Sequence, residues 1–227
     1  MFDPSRFKKA LEKEDLEQLR DLLNKRPEFA TEKDKEGKSP LMWAAYEGRE
    51  RVAALLIKYK ADVNERDGEG RTPVGWAARQ GRIKTLKVLL QNGADVNTAD
   101  KDGATPLHYA VEKGRFEEAE ALVAAGADVK AEDRSGLTPL HYAARGEMTR
   151  HAELLISKGA AIDAKTKMGW SPLHFAVDND KPDIVDMLIA QKADVNMKTK
   201  DGWTPLSRAT RQGRNKIASR LRDKGAH

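Results

Sequence analysis

Six prolines, Pro40, Pro73, Pro106, Pro139, Pro172 and Pro205, each stand 33 residues after the last, and each follows Ser or Thr. A period of this length, held without an insertion, restricts the chain to repeated supersecondary units that bury apolar surface only against their neighbours. The local chemistry says what each unit contains. A Ser or Thr oxygen accepts an orphan N–H of a first helical turn, and proline fits the next position because its missing N–H has no helical partner there. Each Ser/Thr-Pro pair therefore starts a short helix. Gly48, Gly81, Gly114 and Gly213, eight residues past a proline, mark where that helix stops.

A second helix follows in each unit, with apolar residues three and four apart, as in Val52, Leu55 and Leu56 or Ile184, Val185, Leu188 and Ile189. Gly93, Gly126, Gly159 and Gly225 end it in four units. The tetrapeptide Ala-Asp-Val-Asn comes next, intact at residues 61–64, 94–97 and 193–196. A turn glycine lies three residues before every proline of the series, from Gly37 to Gly202. Thr105-Pro106-Leu107-His108-Tyr109-Ala110 and Thr138-Pro139-Leu140-His141-Tyr142-Ala143 are the fullest copies of the helix-starting block.

This pattern resembles the ankyrin repeat family, whose unit is a turn and two helices carrying Thr-Pro-Leu-His-x-Ala. The resemblance runs from about Asp34 to the end and implies an all-α repeat solenoid with hairpin-like finger loops. Residues 1–33 fit as a degraded capping unit with helices expected at 4–12 and 15–24, residues 34–198 as five internal repeats, and 199–227 as a C-terminal cap, in one continuous domain. Polar residues in both outer units (Lys8, Lys9, Lys13 and Glu17; Arg208, Arg220 and Arg222) fit faces that have no neighbour, so the array reads as complete. Leu23, Leu56, Leu89, Leu122, Leu155, Leu188 and Leu221 fall in one register and are expected to form the spine of the core.

Composition narrows the function. Hydrophobic residues make up 39% and charged residues 34%, too apolar for a disordered chain and too charged for a membrane protein. No apolar run approaches the roughly 20 residues of a spanning helix, and no signal-peptide core follows the first residues. An intracellular, cytoplasmic site is therefore the expectation, and a monomer is expected. The absence of cysteine removes disulfides, thiolate metal sites and a cysteine nucleophile together.

Catalytic constellations are lacking. His108, His141 and His174 recur at equal spacing, but stacked helices lie 8–10 Å apart while a zinc ion needs ligand nitrogens at about 2 Å. In the family this histidine braces the loops, and the resemblance implies the same role here, with Met42, Gly75 and Ser207 as departures. Gly68-Glu69-Gly70 is a turn, not a phosphate cradle. The repeated Asn64, Asn97 and Asn196 read as turn formers, although matching asparagines are hydroxylated in some members. No enzyme activity, cofactor or metal is expected.

The expected function is binding of another protein, of unknown identity. In the family, partners contact variable residues two, four and five before each proline and six or seven after it. In the N-terminal half these positions, among them Lys38, Tyr46, Arg79 and Lys113, are mixed and polar. The C-terminal half differs: Leu137, Trp170 and Trp203 stand two before a proline on consecutive fingers, with Lys167, Met168 and Lys200 beside them and Arg145, Asp178 and Arg211 on the helices. Trp43, Trp76, Tyr109, Tyr142 and Phe175, three residues after a proline, are expected to be core. Trp170 and Trp203 fall outside that pattern, and Trp and Arg dominate binding hot spots. The competing explanation is that each Trp stiffens its hairpin.

Two other functions fit parts of the sequence. The even spacing and lack of Cys suit an engineered scaffold without a natural ligand, but the idiosyncratic Pro182, Glu118, His151, Thr166 and Thr199 argue against a consensus design. The net charge of +5 is concentrated in residues 198–227, which carry nine Lys/Arg against two Asp/Glu, leaving the rest at −2. Lys198, Lys200, Arg208, Arg211, Arg214, Lys216, Arg220, Arg222 and Lys224 could therefore meet an anionic partner, which would make binding strongly salt-dependent. A polar cap is the simpler explanation, and nucleic acid is not the expected ligand.

Overall fold

The computed structural model describes residues 4–227, which fall into two compact units, Met1–Ala127 and Asp128–His227. The first contains α1 (Pro4–Lys13), α2 (Leu16–Lys25), a 3₁₀ turn (Pro27–Ala30), α3 (Pro40–Glu47), α4 (Glu50–Lys58), α5 (Pro73–Gln80), α6 (Ile83–Gln91), α7 (Pro106–Glu112) and α8 (Phe116–Ala124). The second contains α9 (Pro139–Gly146), α10 (Thr149–Ser157), α11 (Pro172–Asp178), α12 (Pro182–Ala190), α13 (Pro205–Arg211) and α14 (Asn215–Asp223). The described residues form no strand. Each proline of the series occupies the first position of its helix, as its chemistry requires.

Within each unit, first helices pack on first helices and second on second. In the first unit α3 lies against α5 and α5 against α7, while α2, α4, α6 and α8 follow one another; in the second, α9, α11 and α13 form one row and α10, α12 and α14 the other. The leucine spine is where the period places it. Leu23, Leu56, Leu89 and Leu122 are wholly buried in the first unit, and Leu155, Leu188 and Leu221 in the second. In the second unit they join Leu173, Val177, Ile184, Val185 and Ile217 in the core.

Asparagines link successive hairpins. The Asn64 side chain donates to the Gly93 carbonyl at 3.1 Å and accepts from the Asp95 N–H at 2.7 Å, and Asn196 likewise donates to Gly225 and accepts from the His227 N–H, at 3.2 and 3.0 Å. These side chains therefore do more than shape their own turns. They satisfy a carbonyl at the end of the next second helix, where intrahelical partners run out.

That helix end also carries a local strain. Gly93, Gly126, Gly159 and Gly225 adopt φ of 83–91°, but Lys60 and Lys192 occupy the same place at φ 69° and 68°. A side chain in left-handed backbone costs about 1 kcal/mol. Lys192→Gly is accordingly expected to raise the stability of the second unit by about that amount, read as a higher urea midpoint with an unchanged m-value.

Candidate functional site

Four of the finger loops are built around one aspartate acceptor, buried in the case of Asp67. Asp67 Oδ1 accepts from the backbone N–H of Glu69 and Arg71, both at 2.9 Å, and the turn is closed by Asp67 N–H donating to the Arg71 carbonyl at 3.0 Å. Asp34, Asp100 and Asp133 repeat this arrangement. The second carboxylate oxygen takes the polar tip of the aromatic residue nine positions on: the Trp76 indole N–H at 3.1 Å, the Tyr109 hydroxyl, and the Tyr142 hydroxyl at 2.8 Å. Burial alone would raise the Asp67 carboxyl. The N–H groups and the Arg71 guanidinium at 2.9 Å outweigh it and hold the carboxyl below its ordinary range.

This geometry corrects one expectation. Of the five aromatics three residues after a proline, only Trp76 is buried; Trp43, Tyr109, Tyr142 and Phe175 are half-buried. Trp76, Tyr109 and Tyr142 brace a finger from the helix below it, which sets the two tyrosines at the edge of the core with their hydroxyls on the loop.

The last two fingers are built differently. Thr166 and Thr199 replace the aspartate, and each hydroxyl accepts only one backbone N–H, from Trp170 and Trp203 respectively, at 3.1 Å. The aromatic three residues after the proline changes with them, to Phe175 and Arg208. With no phenol or indole to bind there, the second acceptor oxygen has no use. Consecutive fingers are joined by Lys167 N–H donating to the Ser135 carbonyl and Lys200 N–H donating to the Met168 carbonyl, both at 3.0 Å. Gly136 and Gly169 permit this approach: at φ of 78° and 79°, a β-carbon on either would lie 2.9 Å from the next finger's backbone nitrogen.

Histidines fasten these fingers from below. The Ser171 backbone N–H donates to His174 Nδ1 at 3.2 Å, so Nδ1 is the unprotonated nitrogen and Nε2–H donates to the Trp203 carbonyl at 3.0 Å. His141 holds the Trp170 carbonyl at 3.1 Å in the same way. Both nitrogens of each ring are thus occupied, which leaves no lone pair for a metal, and among the described residues no three His, Asp or Glu side chains converge on a cation site. Burial pushes the His174 ring below its ordinary value against the Trp203 carbonyl, and the charges of Arg208 and Lys165 push it further down. Where histidine is missing, other groups enter. Ser207 Oγ accepts the Thr204 N–H at 2.9 Å, and the Ser39 hydroxyl donates to the half-buried Glu65 of the next hairpin.

The nine expected contact residues all lie in the second unit. Trp170 packs its ring at 5.3 Å from Phe175 and lies beneath the Arg208 guanidinium at 5.2 Å. Arg208 is itself held by Asp178 at 2.6 Å. Arg211 covers the Trp203 ring at 4.8 Å, and Arg145 lies over Tyr142 at 5.2 Å. Trp170, Trp203 and Leu137 are half-buried, whereas Met168 is 55% exposed and Lys167, Lys200, Arg145 and Arg211 are exposed. The Met168, Trp170 and Trp203 fingers and the α13 arginines are therefore tied together by hydrogen bonds and ring contacts; Asp178 enters through Arg208, while Arg145 and Leu137 belong to the preceding repeat. The basic terminal cluster divides: Arg208, Arg214 and Arg220 form ion pairs with Asp178, Asp180 and Asp186 at 2.6–2.8 Å and pin the last repeat to its neighbour.

The first unit holds a feature missed in the sequence. Lys38, Arg71 and Arg79 surround the Trp76 ring at 5.2, 4.4 and 5.9 Å, and the exposed Tyr46 meets its edge at 5.5 Å, beside a cleft of about 440 Å³. The signal was available in the cations two before Pro40 and Pro73, but their convergence on one ring depends on how adjacent repeats stack.

Comparison with known families matches residues 7–100 and 152–227 to ankyrin repeats in three copies, residues 89–143 to ankyrin repeats in many copies, and residues 135–167 to a single ankyrin repeat. No curated protein matches the chain. No helix among the described residues is long and apolar enough to cross a membrane.

Proposed function

Because the chain belongs to the ankyrin repeat family, whose repeats generally mediate protein–protein interactions, we propose that it is a non-catalytic module that binds a partner protein through the fingers and first helices of its second unit. The observation that carries this reading is Met168, 55% exposed on the Trp170 finger, its carbonyl accepting from the Lys200 N–H on the Trp203 finger. A large apolar side chain left in water beside aromatic and guanidinium groups is the composition of an interface centre. Leu137, Lys167, Lys200, Arg145, Asp178 and Arg211 complete the surface, with residues 1–33 and 199–227 closing the array as caps.

Stiffening of the hairpins is not a sufficient alternative for Trp170 and Trp203. Trp76 reaches the buried carboxylate of its own finger, whereas the Trp170 and Trp203 rings, which pack on Phe175, Arg208 and Arg211, stay half-buried and make no polar bond to their fingers. The test is capture from a lysate by the intact protein beside Trp170→Ala/Trp203→Ala, after matching helical circular dichroism. A protein held by the first and released by the second is the expected result. Equal retention by both, with the double variant less stable, would assign the tryptophans to stiffening.

A further inference from the structure

The chemistry of the face defines the kind of partner. Residues 165–170 and 198–203 contain four lysines and one acid, Asp201. Lys165, Lys167, Lys198 and Lys200 are exposed, and none forms an ion pair among the described residues. On the fingers built around Asp67, Asp100 and Asp133 a carboxylate sits at the position next to these lysines. Here Thr166 and Thr199 remove it, and the uncompensated charge remains. Arg211 adds another cation with no acid paired to it, since Asp178 is taken by Arg208, Gln212 and, through its carbonyl, Arg214.

The tryptophans point the same way. Trp76 donates its indole N–H to Asp67, whereas Trp170 and Trp203 are hydrogen-bonded to their fingers through backbone groups, and their indole N–H groups have no acceptor among the described residues. Two indole donors on half-buried rings thus stand on fingers that carry Lys167, Lys200 and the exposed Met168. Carboxylates satisfy both kinds of group, because charge-assisted bonds to an ionised acceptor are the stronger ones. A nucleic acid strand fits less well. It would stack bases on open ring faces, and here Arg208 already covers a face of Trp170 and Arg211 a face of Trp203.

We propose that this face takes an acidic peptide segment, its carboxylates meeting Lys167, Lys200 and the two indole N–H groups while an apolar side chain seats on Met168 between the tryptophans. The proposal rests on the binding role given to this face above and adds the partner's chemistry to it. Opposite charge would speed encounter and reject basic segments, while the apolar anchor would set the lifetime of the complex.

The experiment is selection of a random peptide display library on the intact protein, repeated on Lys167→Glu/Lys200→Glu and on Trp170→Ala/Trp203→Ala. Lys167 and Lys200 touch the protein through their backbone N–H groups, so the charge reversal leaves the fold in place, as circular dichroism verifies. The wild type is expected to enrich peptides of net negative charge that carry an aromatic or aliphatic residue. A fluorescein-labelled copy of the most enriched peptide is expected to bind at least about tenfold more weakly to the charge-reversed variant. Neutral or basic peptides that still require Trp170 and Trp203 would overturn the acidic partner and leave the binding face standing. Enrichment indifferent to both variants, or none, would overturn both readings. Tighter, lysine-dependent binding of a labelled oligouridylate than of any selected peptide would replace the peptide by single-stranded nucleic acid.

Discussion

Leu155→Ala is expected to destabilise the second unit by about 2–5 kcal/mol, the usual range for truncating a buried leucine. Leu155 is wholly buried on α10, which packs on both α9 and α12. A repeat buries its apolar face only against neighbours, so a void on this spine weakens contacts on two sides at once. Leu154, one residue earlier on the same helix, is only half-buried. Leu154→Ala is expected to cost about 1 kcal/mol or less. Urea denaturation of the pair separates register from composition: equal midpoints would show that the 33-residue register does not select the core.

His174→Ala should cost nearly as much through a different mechanism. It strands the buried Ser171 N–H, which costs about 1–3 kcal/mol, and takes one of two donors from the Trp203 carbonyl, which keeps the Thr199 N–H at 2.9 Å. The loss would fall on the finger as well as on the helix start, so amide exchange at Trp203 and its neighbours should quicken beyond the change in global stability. The same ring makes stability depend on pH. Its native value lies below the unfolded 6.5, so the unfolded chain binds the proton more readily. The His174 contribution is therefore complete above about pH 6.5 and is lost progressively as pH falls below that value, until the native ring itself protonates. A urea midpoint that falls on acidification less steeply in His174→Gln than in the wild type is the expected outcome; identical slopes would remove His174 as the cause.

The period made the helices, their proline starts and the leucine spine legible, because each follows from local chemistry repeated every 33 residues. The histidine brace was reached through family resemblance, and the geometry bears it out at His141 and His174, where backbone donors fix the tautomer. Hidden from the sequence was the link from Asp67, Asp100 and Asp133 to the aromatic residue nine positions later. That link holds Trp76, Tyr109 and Tyr142 against their own fingers. Its trace was present in the paired change to Thr166 with Phe175 and Thr199 with Arg208, but spacing alone does not reveal that a side chain reaches back over a hairpin. Glu65 standing in for a missing histidine was invisible for the same reason, since its partner Ser39 lies 26 positions earlier, at the start of α3.

The account centres on the second unit's fingers as the place where a partner protein is held. Amine-reactive cross-linking of the intact protein in a host lysate, followed by mass-spectrometric mapping, reads that place directly, because lysines mark both these fingers and the helices of the first unit. Cross-links to a foreign protein concentrated on Lys167, Lys198 and Lys200, and absent in Trp170→Ala/Trp203→Ala, are the predicted result. Cross-links confined to Lys84 and Lys87 on α6, unchanged in the double variant, would contradict the account.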